Sequence, residues 1–202
     1  MNGVVLISGS GSNLQSIIDN SSEIDLNINC VISSNSDAYG LKRAEKAGIP
    51  IAIIDHKLFD SRLTADKEIM KVIDGSKAEV IILAGYMRIL SAGIIDNYLG
   101  KILNIHPSLL PKFKGLNTHQ RAIDAAEKIH GASVHFVTEE LDGGPVIAQS
   151  IVEIDSTDNA KSLASKVLNK EHILYPKIIH WYTQGRIKLI NNNSVQLDGQ
   201  II

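Results

Sequence analysis

Apolar and polar positions alternate between two rhythms through the first half of the chain. Short runs rich in β-branched residues, at Val4–Ser8, Leu26–Ser33, Ile51–Asp55, Val80–Ala84 and Ile102–Ile105, have the length and composition of buried strands. Between them, Leu14–Asn20, Leu41–Gly48, Arg62–Ile73 and Ala92–Tyr98 have helical spacing or composition. Ser12-Asn13 stands where a helix cap belongs, and Gly48 followed by Pro50 is a stop signal. Repeated strand–helix units predict a mostly parallel sheet covered by helices on both faces.

After Pro111 the rhythm changes. A polar loop leads to a predicted helix around Gln120–Ile129, then to strands at Ser133–Thr138 and Val146–Ile154. The segment Glu139–Pro145 joins these strands, and its Gly143-Gly144-Pro145 favours a turn or bulge. Lys161–Tyr182 reads as one long helix that Pro176 should kink or interrupt. Two short apolar segments between Ile187 and Leu197 flank Asn191–Ser194, the pattern of a hairpin. With no repeat, low-complexity block or long linker, the 202 residues are expected to form one domain around a single core. The expected fold class is α/β: a Rossmann-like, mostly parallel twisted sheet, helices on both faces, and an antiparallel C-terminal extension.

Composition narrows the function classes. Apolar residues make up 44% and charged residues 21%, the balance of a folded globular chain. A formal net charge of −2 gives no general reason to expect nucleic-acid binding, while leaving room for a local anion site. The single cysteine, Cys30, lies in the apolar run Ile28–Ile32 and reads as a small core residue. No apolar run has the length of a membrane span, and Met1-Asn2-Gly3 enters a strand without a basic leader. A soluble, cytoplasmic protein is expected, as a monomer or homodimer. The histidines lack metal-ligand spacing such as His-Glu-x-x-His, so no metal is expected. No Gly-x-Ser-x-Gly elbow is present to support a serine hydrolase.

Two segments carry candidate chemistry. Val4–Gln15 reads as a strand, a glycine-rich turn and a helix start, where backbone N–H groups and the positive end of the helix dipole favour a phosphate. Gly9 and Gly11 allow close approach, and Ser12 and Asn13 add donors. Leu14 stands where a dinucleotide fingerprint needs glycine, and no Gly-Lys-Ser/Thr follows, so a monophosphate ligand is favoured over NAD or ATP. A tight strand–helix turn without a ligand is the bland reading of the same residues.

The second segment is Ile102–Pro111. Its strand ends at His106, Pro107 stops it, and Asn104 and His106 share one side because side chains alternate with period two. An amide donor beside an imidazole suits acyl transfer, in which an oxyanion develops and protons move. A lone histidine at a strand end is otherwise an ordinary hydrogen-bonded residue. Asp142, in the Gly-Gly-Pro loop, would favour imidazolium over imidazole if the fold brings it close. His135, within Ser133–Val137, reads as structural. The charges of Arg62–Lys71 read as a solvated helix face, from which Arg62 can reach an anionic ligand.

Four blocks in order, Ile7–Gln15, Leu83–Leu90, Leu103–Lys112 and Gly131–Val146, resemble glycinamide ribonucleotide formyltransferase, the folate-dependent family of purine biosynthesis. The resemblance implies transfer of a formyl group from 10-formyltetrahydrofolate, a co-substrate, to the amine of 5′-phosphoribosylglycinamide. It implies catalytic roles for Asn104, His106 and Asp142, with Asp142 keeping His106 protonated. It places the nucleotide phosphate on Gly11, Ser12 and Asn13 and the ribose end near Glu171. It places the folate against Arg62, Met87, Arg88, Ile89 and Leu90, together with Asn104, Thr138, Glu139, Glu140, Leu141 and Asp142. Residues 1–100 would then form a nucleotide-phosphate half, and 101–202 a catalytic and folate half.

The chain departs from the family pattern after Leu-Leu-Pro-Lys, where an aromatic residue followed by Pro-Gly-Leu-His becomes Phe113-Lys-Gly-Leu-Asn117. That change bears on the loop and not on Asn104, His106 or Asp142. Three rival readings come with the resemblance. Formyltetrahydrofolate deformylase uses a similar Asn, His and Asp set but normally carries an N-terminal regulatory module, so a chain opening on its first strand is expected not to be one. Methionyl-tRNA formyltransferase needs a further C-terminal RNA-contacting domain. A non-catalytic nucleotide-phosphate sensor would keep the fold but transfer nothing.

Overall fold

A computed structural model describes all 202 residues. The chain divides into two compact units, Met1–Asn104 and Ile105–Ile202.

The first unit is built on parallel strands: β1 (Asn2–Ile7), β2 (Asn27–Ser33), β3 (Ile51–Ile53), β4 (Val80–Leu83) and the start of β5 (Ile102–His106). Their order is β3-β2-β1-β4-β5, and each adjacent pair runs parallel. Val4, Val5, Leu6 and Ile7 of β1 are fully buried, as a strand covered on both faces requires. Helices α1 (Ser12–Asn20), α2 (Tyr39–Lys46), α3 (Arg62–Gly75) and α4 (Ala92–Asn97) alternate with the strands, and a single 3₁₀ turn occupies His56–Leu58. Strand order reverses between β1, whose next strand lies on one side, and β4 on the other. In open α/β sheets, ligands bind at such a switch point beyond the carboxyl ends of the strands. The Gly9–Asn13 turn and the segment after Leu83 both leave strands at that point.

The second unit contains α5 (Thr118–Asp124), the antiparallel pair β6 (Ile129–Phe136) and β7 (Val146–Glu153), and the long helix α6 (Ala160–Thr183). A small antiparallel sheet, β10-β9-β8, follows, from β8 (Ile187–Asn191), β9 (Ser194–Leu197) and β10 (Gln200–Ile201). The α/β class, the parallel strands and the antiparallel C-terminal strands agree with the sequence reading; β10 was not anticipated. No helix is long and apolar enough to cross a membrane.

Three local expectations are corrected. The helix read over Gln120–Ile129 stops at Asp124, because Ala126 turns left-handed (φ 50°) and the Glu127 N–H closes back on the Ala122 carbonyl at 3.1 Å. Ile129 is thereby released into β6. Helix α1 is not capped by Ser12 or Asn13: its N-cap is Gly11, left-handed at φ 69°, with no side-chain cap bond. Helix α6 runs through Pro176 without interruption. Tyr175, Pro176, Ile178 and Ile179 are all buried, so tertiary packing holds the turn that proline weakens.

Candidate active site

In the second unit the chemistry gathers around His106, the last residue of β5, which is 6% exposed. Its Nε2 lies 3.0 Å from the Phe113 carbonyl, which can only accept, so Nε2 is the donor. Its Nδ1 lies 3.4 Å from Asp142 Oδ2. The same carboxylate oxygen accepts the Gly115 N–H at 2.9 Å. The sequence left the approach of Asp142 open, and the fold supplies it.

Two backbone features bring Asp142 there. Asp142 is itself left-handed (φ 48°). At Gly144 a Cβ would lie 1.9 Å from the Phe136 carbonyl oxygen, so only glycine lets the loop return against the end of β6. The Phe113–Asn117 segment that meets the pair is similarly bent, with positive φ at Phe113 (57°), Gly115 (78°) and Asn117 (57°). Asparagine tolerates that conformation better than most residues, which accounts for Asn117 at the N-cap of α5. Lys114 pairs with Glu140 at 2.7 Å, tying this segment to the Thr138–Asp142 loop, and Arg121 donates to the Lys114 and Leu116 carbonyls.

His135 also belongs to this cluster. A bulge between Val134 and His135 breaks the β6–β7 register, and the His135 Nε2 lies 3.9 Å from Asp142 Oδ1. Its Nδ1 donates to the Phe136 carbonyl at 2.8 Å, and burial holds its pKa down at about 4. The ring is therefore neutral at pH 7 and adds no positive charge beside Asp142. His130 is 1% exposed and is likewise lowered to about 4, by burial first and then by the charge of His119, whose ring meets it edge-on at 5.2 Å. Burial and the charge of His106 lower His119 as well. Neutral histidines thus line the second unit around one imidazole–carboxylate pair. An imidazole hydrogen-bonded on one side and faced by a carboxylate on the other is an arrangement for moving protons and compensating transient charge.

In the first unit the glycine turn is held from an unexpected direction. A Cβ on Gly11 would lie 2.5 Å from the Gly40 Cα, and one on Gly40 would lie 2.5 Å from Ile7 Cδ1. The Gly40 N–H donates to the Gly9 carbonyl at 3.0 Å, so the start of α2 sits directly on the turn. One helical turn later, Arg43 donates from Nε to the Ser10 carbonyl (2.9 Å) and from Nη1 to Gln15 Oε1 (3.1 Å), with Tyr39 stacked on its guanidinium at 5.0 Å. The turn has no basic residue of its own in sequence; Arg43 brings one. Ser8 Oγ accepts the Met87 N–H at 2.8 Å and meets Ser34 Oγ at 2.6 Å, linking the turn to the Met87–Leu90 segment. Arg62 donates to the Ile89 carbonyl. Leu90 is buried, whereas Met87, Arg88 and Ile89 are exposed.

Of the other predicted residues, Asn104 lies on β5 opposite Leu83 of β4 and is half-buried. Glu171 is buried on α6 and Thr138 is buried, while Glu139, Glu140 and Leu141 are exposed. The sequence did not show the approach of His135 to Asp142, the backbone contributions of Phe113 and Gly115, or Arg43. The only local signal for Arg43 was its place one turn after Gly40. No group of three or more His, Cys, Asp or Glu side chains is placed to hold a metal ion.

Residues 1–179 match the formyl transferase family. The phosphoribosylglycinamide formyltransferase of Escherichia coli strain K12 is 48% identical over 202 residues, covering 99% of this chain and 95% of that protein. The structure of the phosphoribosylglycinamide formyltransferase from Coxiella burnetii superposes with a TM-score of 0.96 at 46% identity, covering 100% of this chain and 95% of that one. A formyltetrahydrofolate deformylase from Pseudomonas syringae superposes with a TM-score of 0.90 at 27% identity, but this chain covers only 65% of its length.

Proposed function

Because the chain belongs to the formyl transferase family, and within it to the phosphoribosylglycinamide formyltransferases, we propose that it transfers the formyl group of 10-formyltetrahydrofolate to the amine of 5′-phosphoribosylglycinamide. The products are the N-formylated nucleotide and tetrahydrofolate, and the step belongs to purine biosynthesis. The observation that carries the reading is the 3.4 Å approach of Asp142 to His106 at the end of β5.

In this reading Gly11, Ser12 and Asn13 hold the ribose phosphate, and Glu171 serves its ribose. Arg62 and Met87–Leu90, with Asn104 and the Thr138–Asp142 loop, hold the folate. The amine nitrogen attacks the formyl carbon, forming a C–N bond and placing negative charge on the formyl oxygen. The Asn104 amide donates to that oxyanion, and the His106 Nε2–H joins it by exchanging the Phe113 carbonyl for the oxyanion while Nδ1 stays toward Asp142. Collapse breaks the bond to the folate nitrogen, which gains a proton as the amine loses one. Asp142 compensates positive charge on the imidazole while these protons move. Holding two substrates together contributes much of the rate, since effective molarities reach ~10⁵ M or more. A cytoplasmic setting and the single-domain organisation belong to the same reading.

The test is a turnover assay with both substrates, following tetrahydrofolate release. Release that requires the nucleotide supports the transferase. Release without nucleotide, with free formate, points to the deformylase reading, and nucleotide binding without any release points to a sensor.

A further inference from the structure

Asp66, on α3, is fully buried, and neither carboxylate oxygen has a hydrogen-bond partner. Burying a charge in this way is strongly unfavourable unless something nearby compensates for it. The nearest cation is Arg62, one turn earlier, whose Nε lies 3.9 Å from Oδ2.

Helix stability does not account for this pair. Arg62 is the first residue of α3, after the Ser61 N-cap, where a cation meets the positive end of the helix dipole. Cation first and carboxylate four residues later is also the weaker order for a helical ion pair. The guanidinium does not fold back into the core either: the Arg62 side chain is half exposed and its Nη2 donates to the Ile89 carbonyl. Asp66 thus faces one edge of a cation, at ion-pair distance, whose other edge donates to the backbone of the Met87–Leu90 segment. Tyr86, just before that segment, lies in the same field: burial and then Asp66 raise its hydroxyl pKa, while Arg88 and Arg62 oppose the rise. His56 Nε2 meets the Tyr86 hydroxyl at 3.3 Å.

We propose that Asp66 is a positioning residue for the folate: from the buried face of α3 it orients Arg62, and through Arg62 it fixes the Met87–Leu90 backbone. The proposal rests on the functional reading above, in which those residues hold 10-formyltetrahydrofolate. Asp66 touches no substrate and acts only through Arg62.

The experiment is a double-mutant cycle on the full chain with Asp66→Asn, Arg62→Met and the double variant. KM for both substrates and the thermal midpoint are measured for each. Asp66→Asn is expected to raise KM for 10-formyltetrahydrofolate about fivefold, the upper scale of an ion pair without a hydrogen bond, with KM for the nucleotide unchanged. In the Arg62→Met background the same change is expected to add less than about twofold, because its only route is gone. The thermal midpoint should hold or rise, since a buried charge without a hydrogen-bond partner has been removed.

An unchanged folate KM overturns the proposal, as does an equal rise with and without Arg62. Loss of the fold in both Asp66→Asn and Asp66→Ala also overturns it, by making Asp66 a structural residue. If the wild-type chain transfers no formyl group, the functional reading fails, and this proposal with it. If the wild type is active and Arg62→Met raises folate KM but Asp66→Asn does not, only this proposal fails.

Discussion

The Nδ1 of His106 and the Oδ2 of Asp142 stand 3.4 Å apart, and that oxygen also accepts the Gly115 amide at 2.9 Å. One carboxylate therefore does two things: it faces the imidazole and pins the loop that crosses it. Asp142→Asn keeps the shape and an acceptor for Gly115 while removing the charge. Turnover is expected to fall by about 10²- to 10⁴-fold, the usual range for acid–base groups, with KM for both substrates changing far less. Steady-state kinetics checks this, and turnover within about threefold of wild type would remove Asp142 from the proton chemistry.

Arg43 offers a test of the glycine turn that leaves the turn's own residues in place. Arg43→Met removes the donors to the Ser10 carbonyl and Gln15 but keeps much of the side-chain bulk against Tyr39. KM for the phosphorylated nucleotide should rise about tenfold, with KM for the folate unmoved. The dephosphorylated glycinamide ribonucleoside should bind equally poorly to both proteins. An equal loss with both ligands would assign Arg43 to general stability instead.

The lowered histidines set a pH dependence of stability. His130 and His135 are held near pKa 4 in the folded chain, against about 6.5 when exposed. Between those values the unfolded state binds more protons, so stability falls as pH drops from about 6.5 toward 4 and is insensitive to these rings above that window. The limiting slope is about 1.4 kcal/mol per pH unit for each ring. Urea unfolding across that range should show it, and His130→Leu should make the dependence shallower. An unchanged slope in the variant would contradict the assignment.

The Lys114–Glu140 contact is short, 2.7 Å, but both partners reach solvent, Glu140 at 70% side-chain exposure. Such pairs contribute at most about 1 kcal/mol and weaken with salt. Glu140→Gln should therefore shift the unfolding free energy by less than about 1 kcal/mol. Any rise it causes in folate KM should also appear in the wild type as salt is raised. A salt-independent rise would show that Glu140 acts as a ligand and not as a tether.

What was legible in the sequence follows the range of the interactions involved. The strands announce themselves because buried parallel strands are continuous apolar runs, and Pro107 marks where His106 must emerge. The approach of Asp142 was implied by family resemblance rather than by pattern, since it depends on a left-handed residue and on glycine packed against the end of β6. His135 was read as structural, and its 3.9 Å approach to Asp142 was not visible, since a bulge between Val134 and His135 leaves no trace in hydrophobic periodicity. The helix read through Ile129 failed at a left-handed alanine, which no propensity favours. Arg43 and Asp66 were missed for a common reason. Each acquires its role from a distant contact, directly for Arg43 on the Ser10 carbonyl, and for Asp66 through the hydrogen bond that its helical neighbour Arg62 gives to the Ile89 carbonyl.

The contact between Gly11 and Gly40 constrains how this chain can change. A methyl on Gly11 strikes the Gly40 backbone, and a methyl on Gly40 strikes Ile7 on the neighbouring strand. Neither position can be repaired by altering the other, because both are already the smallest residue available. Position 11, left-handed and against backbone, therefore accepts glycine alone, whereas position 40 can change if the Ile7 side chain moves aside.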